Sequence, residues 1–333
     1  MSALETMMPP VQYAEVNGVR LAYYEAGPKR GLPVVLCHGF PELAFSWRHQ
    51  IKAMADAGRW VIVPDQRGYG LSDRPQAVEA YDIAHLTGDI AGLLDHVGAE
   101  RAIVCGHDWG GIVVWQMPLR HPGRVAGVIG LNTPFMPRAP ADPIEIMRRR
   151  FGEEMYIVHF QKPGEADAIL ARDVARAMSF FLRKPIPGAP PASGGLAGEA
   201  PRDGGSAFAL VRILEAYDPA HDPREPILSD AEMAVFVDTF RRTGFTGGIN
   251  WYRNFTRNWA QSEGIADKVA VPCLMVMAEH DAVLPPSAAD GMEAFVPDLE
   301  KVLIKDSGHW TQQEQPEAVN RVIIDWLDRR FPL

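Results

Sequence analysis

Six short apolar runs, rich in Val, Ile and Leu, constrain the fold of this chain more than any other feature of its sequence. They lie at residues 33–39, 60–65, 101–106, 125–132, 271–281 and 300–309. Their centres are continuously apolar and do not alternate with polar residues. This pattern is typical of parallel strands that helices cover on both faces. Because amphipathic stretches separate the runs, the sequence predicts the α/β class with a mostly parallel, doubly wound sheet.

A different pattern precedes these runs. Residues 14–27 (AEVNGVRLAYYEAG) alternate apolar with polar positions and contain the dipeptide Asn17-Gly18. Asn-Gly favours the tight turn of a β-hairpin, because both of its residues tolerate positive φ. We therefore expect an antiparallel hairpin at the edge of the sheet.

The strand pattern stops between the fourth and fifth runs. Residues 134–258 contain several amphipathic stretches that are typical of helices, and a segment at 185–206 in which eleven of twenty-two residues are Pro or Gly. Such a segment is predicted to be a loop. A helical block inserted between two strands of one sheet is expected to form a cap. We therefore assign 1–133 and 259–333 to the core and 134–258 to the cap.

Charge and composition narrow the partners and the location. The 333 residues include 33 Lys and Arg against 42 Asp and Glu, a net charge of −9, which argues against a nucleic-acid partner. The apolar runs are too short to span a bilayer and no signal peptide is evident, so we expect no membrane association and a cytoplasmic location. The three cysteines are expected to be buried thiols. The composition is compatible with a homo-oligomer.

The pentapeptide Gly106-His107-Asp108-Trp109-Gly110 follows one apolar run and begins a helical stretch. In the nucleophile turn of hydrolases, small residues two positions before and after the central residue permit a sharp strand-to-helix turn that exposes the central side chain. Glycines occupy both positions here, but the centre is aspartate where serine is usual. The same residues are also compatible with an ordinary turn in which Asp108 caps the helix.

A nucleophile of this kind needs an acid and an imidazole base, in that order along the chain. The fourth apolar run ends at Asn132, which cannot ionise, whereas the fifth ends at Asp281 and the last leads to His309. Asp108, Asp281 and His309 thus all follow predicted parallel strands, at the sheet edge where open α/β sheets place their sites. His280 is an alternative base, but it adjoins Asp281, and neighbouring residues in an extended turn rarely point the same way.

The segment HGFPE at 38–42 follows the first apolar run. The backbone N–H groups of Phe40 and Trp109 are predicted to form an oxyanion hole beside Asp108. We also expect both residues to contact the substrate. His38 and His107 adjoin the glycines of the two motifs and are expected to be structural hydrogen-bonding residues.

An aspartate nucleophile restricts the electrophile. A carboxylate is already ionised at neutral pH and needs no base before it attacks. Its attack on an ester or amide gives a reactive anhydride, whereas displacement at a saturated carbon gives a stable ester. The expected leaving groups are a halide and the oxygen of an epoxide. Tyr156 and Tyr252, in the helical region, fit an epoxide because a phenol donates to a developing alkoxide, although such tyrosines often serve only packing.

The segments HGFPE, DQRGYGLSD, GHDWGG, NWYRN, AEHD and SGHW occur between residues 38 and 310 in one order. In this respect the chain resembles the α/β-hydrolase-fold epoxide hydrolases of the soluble type. The resemblance implies that fold, an epoxide and water as reactants, a vicinal diol as product, and no metal or organic cofactor. It implies that Asp108 is the nucleophile, His309 the base and Asp281 its partner, and that Tyr156 and Tyr252 hold the epoxide oxygen. The long loop at 185–206 departs from the family's pattern.

Three other functions agree with parts of the same pattern. A haloalkane dehalogenase shares the Asp-His-Asp triad and a Trp after the nucleophile, but such enzymes typically bind halide with a second Trp or Asn, not with two cap tyrosines. Dehalogenases of fluorinated acids tend to need an arginine where this chain has Trp109. A ligand receptor on the same fold would usually have a broken triad, and here the three residue types are all present.

Overall fold

The structure is a computed structural model that describes residues 3–186 and 208–333. Within these residues eight strands form a single sheet in the order β1-β2-β4-β3-β5-β6-β7-β8. The strands are β1 (Val11–Val16), β2 (Val19–Ala26), β3 (Val34–Cys37), β4 (Val61–Pro64), β5 (Ala102–His107), β6 (Val125–Leu131), β7 (Cys273–Ala278) and β8 (Leu299–Ile304). Each of the six apolar runs overlaps one of the strands β3 to β8, so the predicted α/β class is confirmed.

The sheet has one antiparallel edge. Strand β1 pairs antiparallel with β2, and β2 pairs antiparallel with β4. Every further pair, from β4 through β8, is parallel. Asn17 and Gly18 connect β1 to β2 with φ angles of 47° and 77°. The predicted edge hairpin is therefore confirmed, and its turn uses the positive φ that Asn and Gly tolerate.

Helices cover the sheet, precede its first strand and follow its last strand. They are α1 (Ala3–Met7), α2 (Arg48–Asp56), α3 (Ile83–Val97), α4 (Trp109–Arg120), α5 (Pro143–Phe151), α6 (Tyr156–His159), α7 (Glu165–Arg172), α8 (Val174–Phe181), α9 (Leu210–Ala216), α10 (Asp230–Thr243), α11 (Thr246–Arg253), α12 (Phe255–Gln261), α13 (Thr311–Glu314) and α14 (Pro316–Arg330). Helix α2 packs against α14, and α3 packs against α4. Strands β3 to β6 are buried along their whole length because both faces of the sheet are covered.

Helices α5 to α12 lie between β6 and β7 in the chain, where the sequence predicts a cap at 134–258. One of the amphipathic stretches of the sequence, residues 142–160, is divided into α5 and α6, because Gly152 adopts φ 81° and ends α5. Helix α12 continues to Gln261, past the predicted boundary at 258. Most of the predicted loop at 185–206, from residue 187 onward, lies outside the described residues.

Two further expectations concern the cysteines and the membrane. Cys37, Cys105 and Cys273 are all buried free thiols, as expected. Among the helices of residues 3–186 and 208–333, none is both long and apolar enough to cross a bilayer.

The carboxyl ends of the parallel strands bring distant parts of the sequence to one edge of the sheet. Strand β3 leads into HGFPE and β5 into Asp108. Strands β6, β7 and β8 lead into Asn132, Asp281 and His309, respectively. Strands β5, β6, β7 and β8 are successive neighbours in the sheet, so the side chains that follow them meet at one edge. Asp108 and His309 meet there although roughly two hundred residues separate them along the chain.

Candidate active site

The turn between β5 and α4 has the strained backbone that the sequence predicts. Asp108 has φ 52° and ψ −120°, a conformation that costs free energy for any residue with a Cβ atom. Side chains at Gly106 and Gly110 would collide with the carbonyl oxygens of Gly110 and Cys37, respectively. The Asp108 carbonyl accepts a hydrogen bond from Thr133 Oγ1 at 2.7 Å. The turn therefore holds the Asp108 carboxylate in one orientation above the end of β5.

Both predicted oxyanion-hole donors contact this carboxylate. Phe40 N donates to Asp108 Oδ1 at 2.8 Å, and the Trp109 backbone N–H lies close enough to lower the pKa of the carboxyl group. A side chain at Gly39 would collide with the Asp108 carboxylate, so glycine there permits the close approach of the loop. Because Oδ1 accepts from Phe40 N, Oδ2 is the oxygen that faces Nε2 of His309, at 3.7 Å.

His309 lies between the other two members of the predicted triad. Its Nδ1 is 2.8 Å from Asp281 Oδ2, and its Nε2 is 3.7 Å from Asp108 Oδ2. A carboxylate only accepts hydrogen bonds, so Nδ1 carries a proton and donates to Asp281. The alternative base, His280, instead places Nε2 3.6 Å from Glu279. The structure thus brings together Asp108, His309 and Asp281.

Asp281 is held by hydrogen bonds from several directions. The carboxylate is fully buried and accepts from Asn132 Nδ2 at 2.6 Å and from the backbone N–H groups of Val283 and Leu284 at 2.8 and 2.9 Å. Burial raises the pKa of Asp281, but the charge and hydrogen bond of His309 and these donors outweigh it and hold the pKa well below its usual range. Asp281 is therefore a permanently ionised partner that fixes the imidazole.

The charges of the two carboxylates set the protonation of His309. Burial lowers the pKa of His309, but the attraction of Asp281 and then of Asp108 outweighs burial and raises the pKa to about 9. For Asp108 itself, burial raises the pKa above its usual value, while the charge of His309 and the two backbone N–H groups oppose this shift. At neutral pH the unreacted site therefore holds an imidazolium between Asp281 and Asp108.

Tyr156 begins α6 and Tyr252 lies near the end of α11. Their rings meet edge to face with centroids 5.7 Å apart, and the Tyr252 ring also meets those of Trp109 and Phe40 at 5.1 and 5.4 Å. Burial raises the pKa of both tyrosines, and the negative charge of Asp108 raises both further. Both hydroxyls are therefore protonated at neutral pH and are hydrogen-bond donors near Asp108.

Five of the predicted site residues line a single cavity of about 430 Å³, namely Phe40, Asp108, Tyr156, Tyr252 and His309. The rest of the wall is largely apolar and includes Phe180, Phe181, Leu210, Ile213 and Val283. A cavity of this kind takes a small apolar molecule and directs its reactive atoms to the few polar groups. Asp281 lies behind His309 and does not reach the cavity wall.

The cavity wall gives no support to the expected contact between Trp109 and substrate. Trp109 is not among the described residues that line the cavity. Its indole is 2% exposed and packs against the rings of Trp251, Tyr252 and Phe255. Tyr252 therefore separates the indole from the cavity, and Trp109 contributes its backbone N–H to the site.

His107 and Glu42 form a fully buried pair beneath the site. His107 Nδ1 is 2.7 Å from Glu42 Oε2, and His107 Nε2 is 2.6 Å from the carbonyl oxygen of His309. Glu42 Oε2 also accepts from Gly39 N at 2.8 Å. Burial raises the pKa of Glu42, but the charge and the hydrogen bond of His107 outweigh burial, so the pKa stays below its usual value. Glu42 is therefore ionised, and both partners of the His107 imidazole only accept hydrogen bonds. The pair therefore joins the HGFPE segment, the turn at Asp108 and the loop that carries His309.

The sequence predicts a structural hydrogen-bonding role for His107, but it did not identify the other residues that hold these loops together. Glu42 closes the HGFPE segment, and its place in that motif is the signal that could have identified it. Asn132 cannot ionise and therefore does not fit the acid position, yet its side chain donates a hydrogen bond to Asp281. Glu314 accepts hydrogen bonds from the backbone on both sides of His309, and no local sequence pattern indicates this contact.

One group of described side chains has the geometry of a metal site. Glu279, His280 and Asp306 place one ligand atom each within 4.8 Å of one another. Exposed acidic groups of this kind are common in proteins without a bound ion, and this group does not include Asp108 or His309. The expected reaction at Asp108 uses none of these three side chains.

Comparisons with known proteins agree with this geometry. A family model described as alpha/beta hydrolase fold matches residues 33–316. The chain is 47% identical to epoxide hydrolase A of Mycobacterium tuberculosis over 329 residues, which cover 96% of this chain and 97% of that protein. It is also 40% identical to bifunctional epoxide hydrolase 2 of Sus scrofa over 95% of this chain, although the match spans 55% of that longer protein.

Solved structures show the same likeness. The crystal structure of epoxide hydrolase A from Mycobacterium thermoresistibile superposes with a TM-score of 0.84 at 44% identity, over 96% of this chain and 98% of that one. The crystal structure of epoxide hydrolase VrEH1 from Vigna radiata gives a TM-score of 0.83 at 31% identity, over 97% and 98% of the two chains. These likenesses extend over nearly the whole chain and include the helices between β6 and β7.

Proposed function

The chain belongs to the epoxide hydrolases of the α/β-hydrolase fold, and we propose that it converts a small-molecule epoxide to a vicinal diol through an ester on Asp108. One observation carries this mechanism: the carboxylate of Asp108, the imidazole of His309 and the hydroxyl-bearing rings of Tyr156 and Tyr252 line the same cavity. These groups together supply a nucleophile, a base and an acid for opening a strained ring.

In the first step, Asp108 Oδ2 attacks one epoxide carbon. A bond forms between Oδ2 and that carbon, and the bond between that carbon and the ring oxygen breaks. Tyr156 and Tyr252 donate hydrogen bonds to the ring oxygen as negative charge develops on it, and one of them supplies its proton. Because burial and the charge of Asp108 keep both phenols protonated, both are in the donor form that this step needs.

In the second step a neutral His309 takes a proton from water, and the resulting hydroxide attacks Cγ of the ester on Asp108. His309 becomes neutral because the ester removes the charge of Asp108 and lowers the pKa of the imidazole, whose proton passes through water to the tyrosinate. Negative charge then develops on Oδ1, the oxygen to which Phe40 N already donates at 2.8 Å. The bond between Cγ and Oδ2 breaks, so Oδ2 leaves with the diol and receives the proton from the imidazolium. The new carboxyl group of Asp108 then returns its proton to His309, which restores the starting site. Asp281 orients the imidazole and stabilises its positive charge. These steps need no metal or organic cofactor.

We assign the helical segment 134–258 the role of a cap. Its helices supply Tyr156 from α6 and Tyr252 from α11, and α8 adds Phe180 and Phe181 to the cavity wall. The loops that follow the core strands supply Asp108, His309 and Asp281. In this assignment the cap excludes bulk water from the first step, which allows the tyrosine donors to act in a low-dielectric space.

A single turnover in H₂¹⁸O tests the ester. Excess enzyme is mixed with styrene oxide, and the diol and the peptide containing Asp108 are analysed by mass spectrometry. We expect the first diol to be unlabelled and ¹⁸O to be retained on Asp108, since the oxygen that leaves is Oδ2. If ¹⁸O enters the diol in the first turnover, water attacks the epoxide directly and the ester mechanism is wrong.

Two variants and a substrate screen complete the test. Asp108→Ala is expected to abolish diol formation, and His309→Gln is expected to accumulate an adduct on the Asp108 peptide because the ester forms but is not hydrolysed. A panel of epoxides and haloalkanes then separates the two leaving groups. Release of halide without any diol from the epoxides would favour a haloalkane dehalogenase.

A further inference from the structure

His309 lies on the loop between β8 and α13, and the backbone N–H groups on both sides of it have one acceptor. Gly308 N donates to Glu314 Oε2 at 2.8 Å, and Trp310 N donates to Glu314 Oε1 at 2.9 Å. The two oxygens of one carboxylate thus bind the residue before the base and the residue after it. Within residues 3–186 and 208–333, no other side chain is an acceptor for these two N–H groups.

The carbonyl groups of the same loop are held from the opposite direction. The His309 carbonyl accepts from His107 Nε2 at 2.6 Å and from Asn132 Nδ2 at 3.2 Å. The Gly308 carbonyl accepts from Thr311 Oγ1 at 2.9 Å. The backbone around the base is therefore fixed on its acceptor side by several groups and on its donor side by Glu314.

A helix-capping role does not account for both bonds of Glu314. Helix α13 spans only Thr311–Glu314, and Trp310 is the residue that precedes it. A bond to Trp310 N alone would serve as a cap, but Gly308 N lies farther upstream, on the other side of His309. A carboxylate that binds both N–H groups fixes the loop across the base, and with it the direction of the imidazole.

The Glu314 carboxyl group is partly buried, and its pKa lies above the usual value. Burial raises the pKa of Glu314, while the N–H groups of Gly308 and Trp310 and the positive charge of His309 oppose that shift. A Cβ atom added at Gly308 would lie 2.9 Å from Pro185 Cδ and 3.2 Å from Glu314 Oε1. The loop therefore has little room to shift while the carboxylate stays in place.

We propose that Glu314 is a positioning residue for the general base: by binding the backbone on both sides of His309, it keeps Nε2 directed at Asp108 while Nδ1 stays on Asp281. The proposal rests on the proposed function, because it assigns Glu314 to the second step. Attack on the epoxide by Asp108 does not need the base, so Glu314 should matter for hydrolysis of the ester and not for its formation. A shift of about 1 Å in a positioned group costs up to about 100-fold in rate.

The test separates the two steps in single turnovers of styrene oxide with excess enzyme. The adduct on the Asp108 peptide and the free diol are measured over time in the wild type, in Glu314→Gln and in Glu314→Ala. We expect the adduct to form at the wild-type rate in all three. We expect its hydrolysis to slow about 10- to 100-fold in Glu314→Ala, and less in Glu314→Gln, which retains one acceptor oxygen.

The matched control is Asp82→Asn. Asp82 is a buried carboxylate that caps α3 by accepting from His85 N at 3.0 Å, and it does not line the cavity. This change should lower the melting temperature and leave both rates unchanged. Hydrolysis of the adduct at the wild-type rate in Glu314→Ala, or an equal slowing of both steps, would overturn the proposal.

Gly308→Ala provides a second variant if Glu314→Ala does not fold. The added methyl group lies closest to Pro185 Cδ and next to Glu314 Oε1, so the loop must move relative to the carboxylate. Hydrolysis should then slow while formation of the adduct does not. An unchanged rate of hydrolysis in Gly308→Ala would also overturn the role of Glu314. If the wild type itself forms no adduct, the ester mechanism fails, and that result is distinct from a failure confined to the variants.

Discussion

The strand ends of the core and the helices α6 and α11 hold their parts of the site in different ways. Asp281 accepts hydrogen bonds from Asn132, His309 and two backbone N–H groups, and the backbone of His309 is bound on both sides. Tyr156 and Tyr252 are held mainly by rings that pack edge to face. Hydrogen bonds fix the direction of a group, whereas aromatic packing fixes its location and permits some rotation.

This difference predicts two kinds of sensitivity. At the strand ends, a change of one atom leaves a buried donor or acceptor without its partner, so its cost should be large and confined to the step that uses the group. In the helices, a lost hydroxyl leaves the packing intact, so its cost should be smaller and confined to opening of the epoxide. The following predictions are ordered from the largest expected effect to the smallest.

Asp281→Asn should slow hydrolysis of the ester by about 10⁴-fold, the cost of the corresponding change in a Ser-His-Asp triad. The amide favours the wrong tautomer of His309, and it also places a donor near Asn132 Nδ2. Formation of the ester should remain fast, so the adduct on Asp108 should accumulate. A time course of adduct and diol measures both steps. Rapid decay of the adduct would show that the hydrogen bonds at the strand ends are not essential.

Tyr252→Phe and Tyr156→Phe should each slow formation of the ester by about 10- to 100-fold, because each removes a donor to the ring oxygen. Hydrolysis of the ester should not change, since the ring oxygen is already a hydroxyl. Tyr217→Phe is the matched control, because Tyr217 bonds Asp222 Oδ2 in the same helical region and does not line the cavity. If hydrolysis slows instead of formation, the assignment of the tyrosines to the first step is wrong.

The pH dependence should differ between the two steps. The pKa of His309 is raised to about 9 in the unreacted site partly by the charge of Asp108, and the ester removes that charge. The pKa of His309 must then fall, so hydrolysis of the ester should reach its plateau at a lower pH than the titration of His309 in the free enzyme. NMR titration of the imidazole and the rate of adduct decay against pH make the comparison. A decay that rises only above pH 9, roughly, would contradict it.

Arg253→Ala should loosen the contact between α11 and the chain after α6. Arg253 Nε donates to the Phe160 carbonyl at 2.9 Å, and Nη2 is 2.6 Å from Asp167 Oδ2. Loss of these bonds should lower the free energy of unfolding by about 2 kcal/mol and slow ester formation only a few-fold. Arg241→Ala, which breaks an exposed pair with Asp238, is the control. Chemical denaturation measures stability, and an unchanged stability would show that this link does not hold the tyrosine helices together.

Much of the fold could be predicted because its signals are local. The continuous apolar runs identified β3 to β8, and Asn17-Gly18 identified the hairpin turn. Helix ends were harder to predict, since Gly152 divides one amphipathic stretch into α5 and α6 and α12 continues past residue 258. Periodicity reports which face of a segment is apolar, but it does not report where a backbone bends.

The site could be predicted in part for the same reason. Asp108, Asp281 and His309 each follow a strand, and Tyr252 lies in a distinctive short motif. Local sequence is therefore enough to identify these residues as candidates for the site. The burial of the Trp109 side chain could not be predicted, because it depends on Tyr252 and Phe255, which lie far along the chain. The bonds of Glu42, Asn132 and Glu314 were missed, because each joins loops that meet only at the edge of the folded sheet.

By itself, the sequence determined the chemistry that we propose: an aspartate in a turn bounded by two glycines favours a saturated carbon as the electrophile, and the order of acid and histidine follows from the strands. Only the tertiary structure decided which oxygen of Asp108 is free, what holds the base, and which aromatic rings reach the cavity. The physical reason is that the nature of a nucleophile belongs to one side chain, whereas its direction and its charge depend on groups that folding brings together.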